Sequence, residues 1–239
     1  MPFYYGFDMT YLILVLPCIV LSLWASTNVN RTFKKYASQY SARGLTGAQA
    51  AQRVLQCNGV TNVRVEKVSG HLSDHFDPKT NVIRLSDSVY DSTSTASIGV
   101  ACHEAGHAVQ YASDYLPIRL RTAIIPITNF GSRLAMPLIL LGLVLTALGR
   151  YSYTLIYIGI ACFALTLLFE LVTLPVEFNA SRRALNAIRQ YDLLTAEELR
   201  GAKKTLQAAA LTYIAAAAVT LAQLLRLLLL FGNRSRRRD

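Results

Sequence analysis

Residues 100–110 contain the pattern His103-Glu104-x-x-His107, which uses two of the chain's four histidines. Positions four apart on a helix lie on one face about one turn apart, so both imidazoles can bind one metal ion. Glu104 is rotated about 100° around the axis and would reach water beside the metal. Two imidazoles, a carboxylate and an open position suit Zn²⁺, which lowers the pKa of bound water to about 7. The pattern predicts one zinc ion with Glu104 as general base, although a helix can also carry two histidines by chance.

A catalytic zinc site needs a third protein ligand, and no histidine follows His107. The ligand should therefore be a downstream carboxylate, and the candidates are Asp114, Glu170, Glu177, Glu197 and Glu198. Asp114 lies about 10 Å along the helix from His107, which is too far to close the site. Glu170 falls inside an apolar run, and Glu197 and Glu198 are typical of a helix's first turn. Glu177 is the preferred candidate.

The composition indicates a membrane protein with one modest domain. The chain has 239 residues, 53% of them hydrophobic, and a formal net charge of +10. A basic balance can indicate nucleic acid, but the long apolar runs favour a lipid surface, so no nucleic-acid partner is expected. The cysteines have no paired spacing and are predicted to be buried thiols: Cys18, Cys57, Cys102 and Cys162.

Four apolar runs are long enough to predict membrane spans, at about residues 9–26, 134–149, 153–174 and 206–231. The first lacks the features of a cleaved signal peptide, and basic residues follow it, which predicts an anchor with its N-terminus outside. The second and third form a hairpin that turns outside at residues 150–152. Residues 27–133 carry 12 basic residues and 175–204 carry six, which places both segments in the cytoplasm. If all four runs cross the membrane, the basic tail, 233–239, lies outside, which conflicts with the positive-inside rule. The last run could instead fail to cross.

The segments between the runs predict a small folded domain. Residues 46–56 read as a helix capped by Thr46, and the zinc helix should run over 94–112. Strands are predicted at 62–68 and 82–85, in a small antiparallel sheet beside that helix. An extended peptide could pair with the edge of this sheet, or it could be merely an edge. The proline-broken segment after the zinc helix, up to Arg133, is predicted to be a loop along the membrane surface.

Further polar residues are candidates for contacts to substrate or to the developing oxyanion. His71 and His75 are four apart, but the aspartates and proline around them disfavour a second metal site, and they are expected to order a turn or line a substrate cleft. Arg182, Arg183 and Tyr191 are candidates for the oxyanion donor. The arginines could equally bind lipid phosphates at the membrane face.

Taken together, the motifs resemble the YugP-like membrane zinc metallopeptidases of bacteria. The resemblance is carried by residues 74–78, 82–86, 103–110 and 174–181 and covers nearly the whole chain. The sequence is also similar to the broader HtpX and CAAX-prenyl-protease group, in which a glutamate beyond a pair of membrane spans is the third zinc ligand. This likeness implies that role for Glu177. Ser181 stands where the broader group has aspartate, which departs from that pattern.

The sequence therefore predicts an α+β membrane protein with about four transmembrane helices and a small zincin-like (gluzincin-type) catalytic domain of helices plus a short antiparallel sheet. Its expected segments are an anchor (1–26), a cytoplasmic peptidase core (27–133), a transmembrane hairpin (134–174), a helical segment with the third ligand (175–204), and a last membrane helix with the tail (205–239).

The predicted function is a zinc-dependent endopeptidase in the bacterial plasma membrane, with a cytoplasmic site and protein or peptide substrates, membrane proteins among them. The main alternative is a membrane scaffold or assembly factor with a structural zinc ion. A lipid-handling protein or channel and a zinc hydrolase of non-peptide bonds are further alternatives. The spans carry too few polar residues for an evident permeation path. Substrate identity and oligomeric state do not follow from the sequence.

Overall fold

A computed structural model describes residues 9–70, 73–148 and 153–232. The predicted hairpin turn at 150–152, the basic tail and His71 lie outside the described residues. The helices are α1 Leu16–Ala37 (preceded by a π-helical turn, Tyr11–Val15), α2 Gly47–Cys57, α3 Asp87–Tyr90, α4 Thr95–Ala112, α5 Leu116–Ala147, α6 Tyr153–Gln190 and α7 Leu199–Gly232, and the strands are β1 Arg64–Val68, β2 His75–Asp77 and β3 Val82–Ser86.

Within the described residues, four helical stretches are long and apolar enough to cross a membrane: Tyr11–Ala37, Leu116–Ala147, Tyr153–Gln190 and Leu199–Gly232. Large apolar side chains such as Trp24, Phe130 and Leu140 are exposed on them. Exposed apolar surface of this kind is stable in contact with lipid rather than water. The four predicted spans are therefore confirmed, and the protein is an integral membrane protein.

The chain divides into two compact units. The apolar unit comprises the described residues of Met1–Trp24, Leu120–Thr173 and Tyr213–Asp239, and the sheet unit comprises Ala25–Arg119 and Leu174–Thr212. In the apolar unit, Glu170 accepts a 2.9 Å hydrogen bond from the Thr220 hydroxyl. One oxygen of Glu170 thus has the partner that a polar group inside a membrane requires, whereas Oε2 is buried without one among the described residues.

Helix starts in the sheet unit follow the capping residues. The Thr46 side chain accepts from the backbone N–H of Gln49, and the Gln49 side chain accepts from the backbone N–H of Thr46, which is a complete capping box. The Ser94 hydroxyl accepts from the backbone N–H of Ser97 and begins α4. Both predicted helices are confirmed, and α4 carries the His103-Glu104-x-x-His107 pattern.

The sheet is mixed, so the prediction of an antiparallel sheet was wrong in its main pairing. The strand order is β1-β3-β2, with β1 parallel and β2 antiparallel to β3. Strand β2 comes between β1 and β3 in the sequence but lies on the far side of β3 in the sheet, and the turn of Asp77 to Asn81 joins it to β3. Parallel neighbours need a crossover connection, and the alternation of side chains in β1 does not reveal it.

The proline-containing segments are helical, which corrects the loop predicted up to Arg133. Helix α5 runs through Pro126 and Pro137, and α6 runs through Pro175, so Glu177 lies within α6 and not at the start of a separate helix. Membrane helices tolerate proline because neighbouring helices and hydroxyl side chains satisfy the freed backbone groups. In α5 the Thr128 hydroxyl donates to the carbonyl oxygens of Ile124 and Ile125.

Candidate metal centre

Helix α4 and the part of α6 that lies in the sheet unit, from Leu174 to Gln190, position the candidate metal ligands. His103 and His107 lie one turn apart on α4, and Glu177 lies on α6. Small buried residues face each other where the two helices meet, among them Gly106 and Ala180. Because no large side chain separates the backbones, a glutamate on one helix can reach imidazoles on the other.

His103, His107 and Glu177 form a compact three-residue group. Their ligand atoms lie within 4.8 Å of one another. Glu177 Oε2 is 3.2 Å from His103 Nε2 and 3.6 Å from His107 Nε2. The carboxylate is 3% exposed, so its position is fixed by the surrounding protein. The structure thus brings the preferred downstream carboxylate to the two histidines, as a group that can hold one metal ion.

The far nitrogen of each imidazole has a hydrogen-bond partner. His107 Nδ1 is 3.0 Å from Gln110 Oε1, and His103 Nδ1 is 3.1 Å from the Ser181 hydroxyl. Metal-binding histidines characteristically have their second nitrogen held in this way, which orients the first toward the ion. Both Nε2 atoms face Glu177, so the donor set and its orientation fit zinc.

The charges around the group also suit a divalent cation. Burial lowers the pKa of His107, but the Glu177 carboxylate 3.6 Å away and the charge of Glu104 outweigh it, so this pKa lies above its ordinary value. The pocket therefore favours positive charge although it is buried. Two carboxylates, Glu104 and Glu177, would balance the two charges of Zn²⁺.

Glu104 is placed differently from the three grouped residues. It is 8% exposed, and no described residue forms a hydrogen bond with its carboxylate. It lies near enough to His107 to interact with it electrostatically, yet it is not part of the ligand group. A carboxylate in this position remains available to water or substrate.

The other carboxylates considered as third ligands are engaged elsewhere or exposed. Asp114 pairs with Arg119, and Glu170 accepts from Thr220. Glu198 accepts from the backbone N–H groups of Thr195 and Ala42, and Glu197 is exposed. Cys102 is buried, burial raises the pKa of its thiol, and it does not join the group.

The candidates for substrate or oxyanion contacts are either exposed or hydrogen-bonded to residues other than the three ligands. Arg183 donates from Nε to Asn179, and its guanidinium lies over the Tyr115 ring. Arg182 is exposed and is rotated about 140° around α6 from Glu177. Tyr191 follows α6 about 21 Å beyond Glu177, and its hydroxyl donates to the Cys57 carbonyl. His75 is exposed on β2, on the face opposite Phe76, which contacts Tyr111 of α4.

Sequence reasoning missed two residues of the site, Gln110 and Asn179. Gln110 is fully buried, three residues beyond His107 on the same helix stripe. Its amide nitrogen donates to the Val176 carbonyl (2.8 Å) and to Asn179 Oδ1 (2.9 Å). The spacing of three between His107 and Gln110 was the feature of the sequence that could have identified Gln110, because residues i and i+3 are neighbours on a helix.

Four helices long and apolar enough to cross a bilayer, together with a largely buried His-His-Glu group that can hold one metal ion, are the features of a membrane metalloprotein. The chain belongs to the family described as "Putative neutral zinc metallopeptidase", whose sequence profile matches residues 11–232. It is 44% identical over 225 residues to a protein of Bacillus subtilis (strain 168) named "Putative membrane protease YugP", covering 94% of this chain and 98% of the relative. No solved structure matches. The family expected from the sequence is confirmed. Zinc is the metal of this family, and His103, His107 and Glu177 are the residues that can hold one ion.

Proposed function

We propose that the protein is an integral-membrane zinc endopeptidase in which His103, His107 and Glu177 bind one Zn²⁺ and Glu104 is the general base. The observation that carries this proposal is the group of three ligands, two buried and one partly buried, beside a carboxylate that accepts no hydrogen bond from a described residue. Catalytic zinc sites use three protein ligands and leave one position open for water or substrate.

Bound zinc would act as a Lewis acid toward the scissile carbonyl and make a neighbouring water more acidic. Glu104 then accepts the proton of the attacking water and returns it to the leaving amine. Its burial beside His107 keeps the carboxylate within the site during both transfers. His103 and His107 stay oriented through their Nδ1 partners while this happens.

The main alternative is a scaffold in which zinc holds the fold together. Structural zinc sites are closed by four protein ligands. Within the described ranges, the group contains no fourth histidine, cysteine, aspartate or glutamate. A scaffold would also need no carboxylate at position 104, so this residue separates the two functions experimentally.

The substrate is proposed to be an extended peptide that pairs with β2. This strand is at one edge of the sheet, and Phe76 on it packs edge-to-face against Tyr111, one turn beyond His107. An edge strand offers free backbone groups to an added strand. A cleaved peptide and a copy with methylated backbone nitrogens should differ in KM, and equal KM values would contradict this binding mode.

The site is proposed to face the cytoplasm of a bacterial cell. Basic residues concentrate in 27–133 and 175–204, the two segments that contain the ligands, and the positive-inside rule places such segments in the cytoplasm. Membrane proteins would then be accessible as substrates. Membrane proteomes of cells with wild-type and Glu104→Gln protein test the function: fragments should arise only with the wild type, and identical fragment sets would argue for the scaffold.

A further inference from the structure

A chain of hydrogen bonds runs from Arg183 through Asn179 and Gln110 to His107. We infer that this relay fixes His107 in the tautomer that carries its proton on Nδ1, which leaves the Nε2 lone pair for zinc. Gln110 and Asn179 are then positioning residues that act on the metal through His107. The inference rests on the proposed function, since it assigns His107 as a ligand.

The first step is the orientation of the Gln110 amide. One end of this amide lies 2.8 Å from the Val176 carbonyl oxygen, which can only accept a hydrogen bond. That end must therefore be the NH₂ group, and the other end must be the carbonyl oxygen. The carbonyl end is the one that lies 3.0 Å from His107 Nδ1.

The second step fixes the same orientation independently. Arg183 Nε can only donate, so the Asn179 atom 2.8 Å from it is the carbonyl oxygen. The same oxygen lies 2.9 Å from Gln110 Nε2 and accepts from it as well. The positive charge of Arg183, over the Tyr115 ring, thus sets the direction of the whole relay.

The consequence for His107 follows from the donor and acceptor inventory. Because Gln110 Oε1 can only accept, His107 Nδ1 must carry a hydrogen, and a neutral imidazole then has an unprotonated Nε2. Nε2 is the atom that faces Glu177. Gln110 is fully buried, so water does not compete for these bonds.

His103 is not constrained in this way. Its Nδ1 partner is the Ser181 hydroxyl, which can donate or accept. The two ligands therefore differ: the relay imposes one tautomer on His107, while Ser181 orients His103 without choosing its tautomer. The relay should accordingly matter more for zinc affinity than Ser181 does.

The tautomer can be observed directly in metal-free protein that keeps the whole relay. Replacing His71 and His75 by Gln leaves two labelled imidazoles, and ¹⁵N–¹H correlation spectra at alkaline pH report which nitrogen of each neutral ring is protonated. His107→Gln identifies the His107 ring by loss of its signals. We expect His107 to be protonated on Nδ1, and protonation on Nε2 would overturn the inference.

Zinc affinity, measured by chelator competition, tests the effect of the relay. Gln110→Met should weaken zinc binding 10–100-fold, which is typical for loss of a ligand's outer partner, while Gln52→Met at an exposed position of α2 should not. Asn179→Asp keeps an oxygen that accepts from both neighbours and should bind zinc as the wild type does, whereas Asn179→Leu should bind it more weakly.

The outcomes separate the relay from the proposed function. Wild-type affinity in both Gln110→Met and Asn179→Leu would overturn the relay while leaving the zinc site intact. Equal losses in Asn179→Asp and Asn179→Leu would also overturn it, because only the packing would then matter. If the wild type bound no zinc, the proposed function would fail, and the tautomer of the metal-free protein would still decide on the relay.

Discussion

A Cβ atom on Gly106 would lie 2.8 Å from the carbonyl oxygen of Ala180. Gly106 lies between the two histidines of α4, and Ala180 lies between Glu177 and Ser181 of α6. The backbones of the two helices therefore touch at the level of the metal centre. This contact explains how one carboxylate reaches both imidazoles.

Gly106→Ala should separate the two helices and weaken zinc binding. Real Cβ atoms do not approach backbone oxygen so closely, and overpacking of this kind costs about 1–3 kcal/mol. Thermal unfolding and zinc content of the purified protein measure the two effects. Gly232→Ala is the matched control, because nothing lies within 4 Å of a Cβ there. Unchanged stability and zinc content in Gly106→Ala would contradict the close packing.

Glu177→Ala should remove bound zinc. The remaining two imidazoles do not make a stable site, since the carboxylate supplies both the third ligand and negative charge. Metal analysis of the purified variant gives the zinc-to-protein ratio. Glu197→Ala, at an exposed glutamate outside the group, should retain zinc as the wild type does. Full zinc retention by Glu177→Ala would exclude Glu177 from the ligands.

Ser181→Ala should weaken zinc binding by about tenfold, the lower end of the range for an outer partner. The variant removes the hydroxyl that lies 3.1 Å from His103 Nδ1. Ser181→Asp restores a hydrogen-bond acceptor and should bind zinc more tightly than the alanine variant. Chelator competition measures both, and equal affinities in the wild type and Ser181→Ala would show that this contact is dispensable.

The native Cys57 tests the orientation in the membrane, because it is exposed at the end of α2 and the prediction that it is a buried thiol was wrong. If the segment after the first span is cytoplasmic, a membrane-impermeant maleimide should label Cys57 only after the cells are permeabilised. Cys57→Ser identifies the signal. Leu148→Cys, at a position that is 71% exposed beyond the end of α5, should be labelled in intact cells. The reverse pattern would contradict the cytoplasmic site.

The sequence predicted those features that depend on neighbours along the chain. Thr46 and Ser94 marked helix starts because capping acts within three residues. The spacing of four between the histidines placed them on one helix face for the same reason. Glu177 was selected because the other downstream carboxylates fitted the site less well and because of a family resemblance, not by local pattern.

Features that depend on distant partners were not predictable. The parallel pairing of β1 with β3 depends on β2 taking the far edge of the sheet, beyond β3. The continuity of α5 and α6 through proline depends on neighbouring helices. Gln110 acquires its role only when α6 brings Val176 and Asn179 to it. The bond of Arg183 to Asn179 is equally invisible in the sequence, and the role of Arg183 as an oxyanion donor stays a prediction.

The role of Glu104 is the central claim, and one comparison of purified proteins tests it most directly. Glu104→Gln should keep the zinc-to-protein ratio of the wild type, because Glu104 is not in the ligand group. Its rate of peptide-bond cleavage on a protein that the wild type cleaves should fall about 10²–10⁴-fold, the usual contribution of a general base. Cleavage at the wild-type rate by zinc-loaded Glu104→Gln would contradict the proposed mechanism.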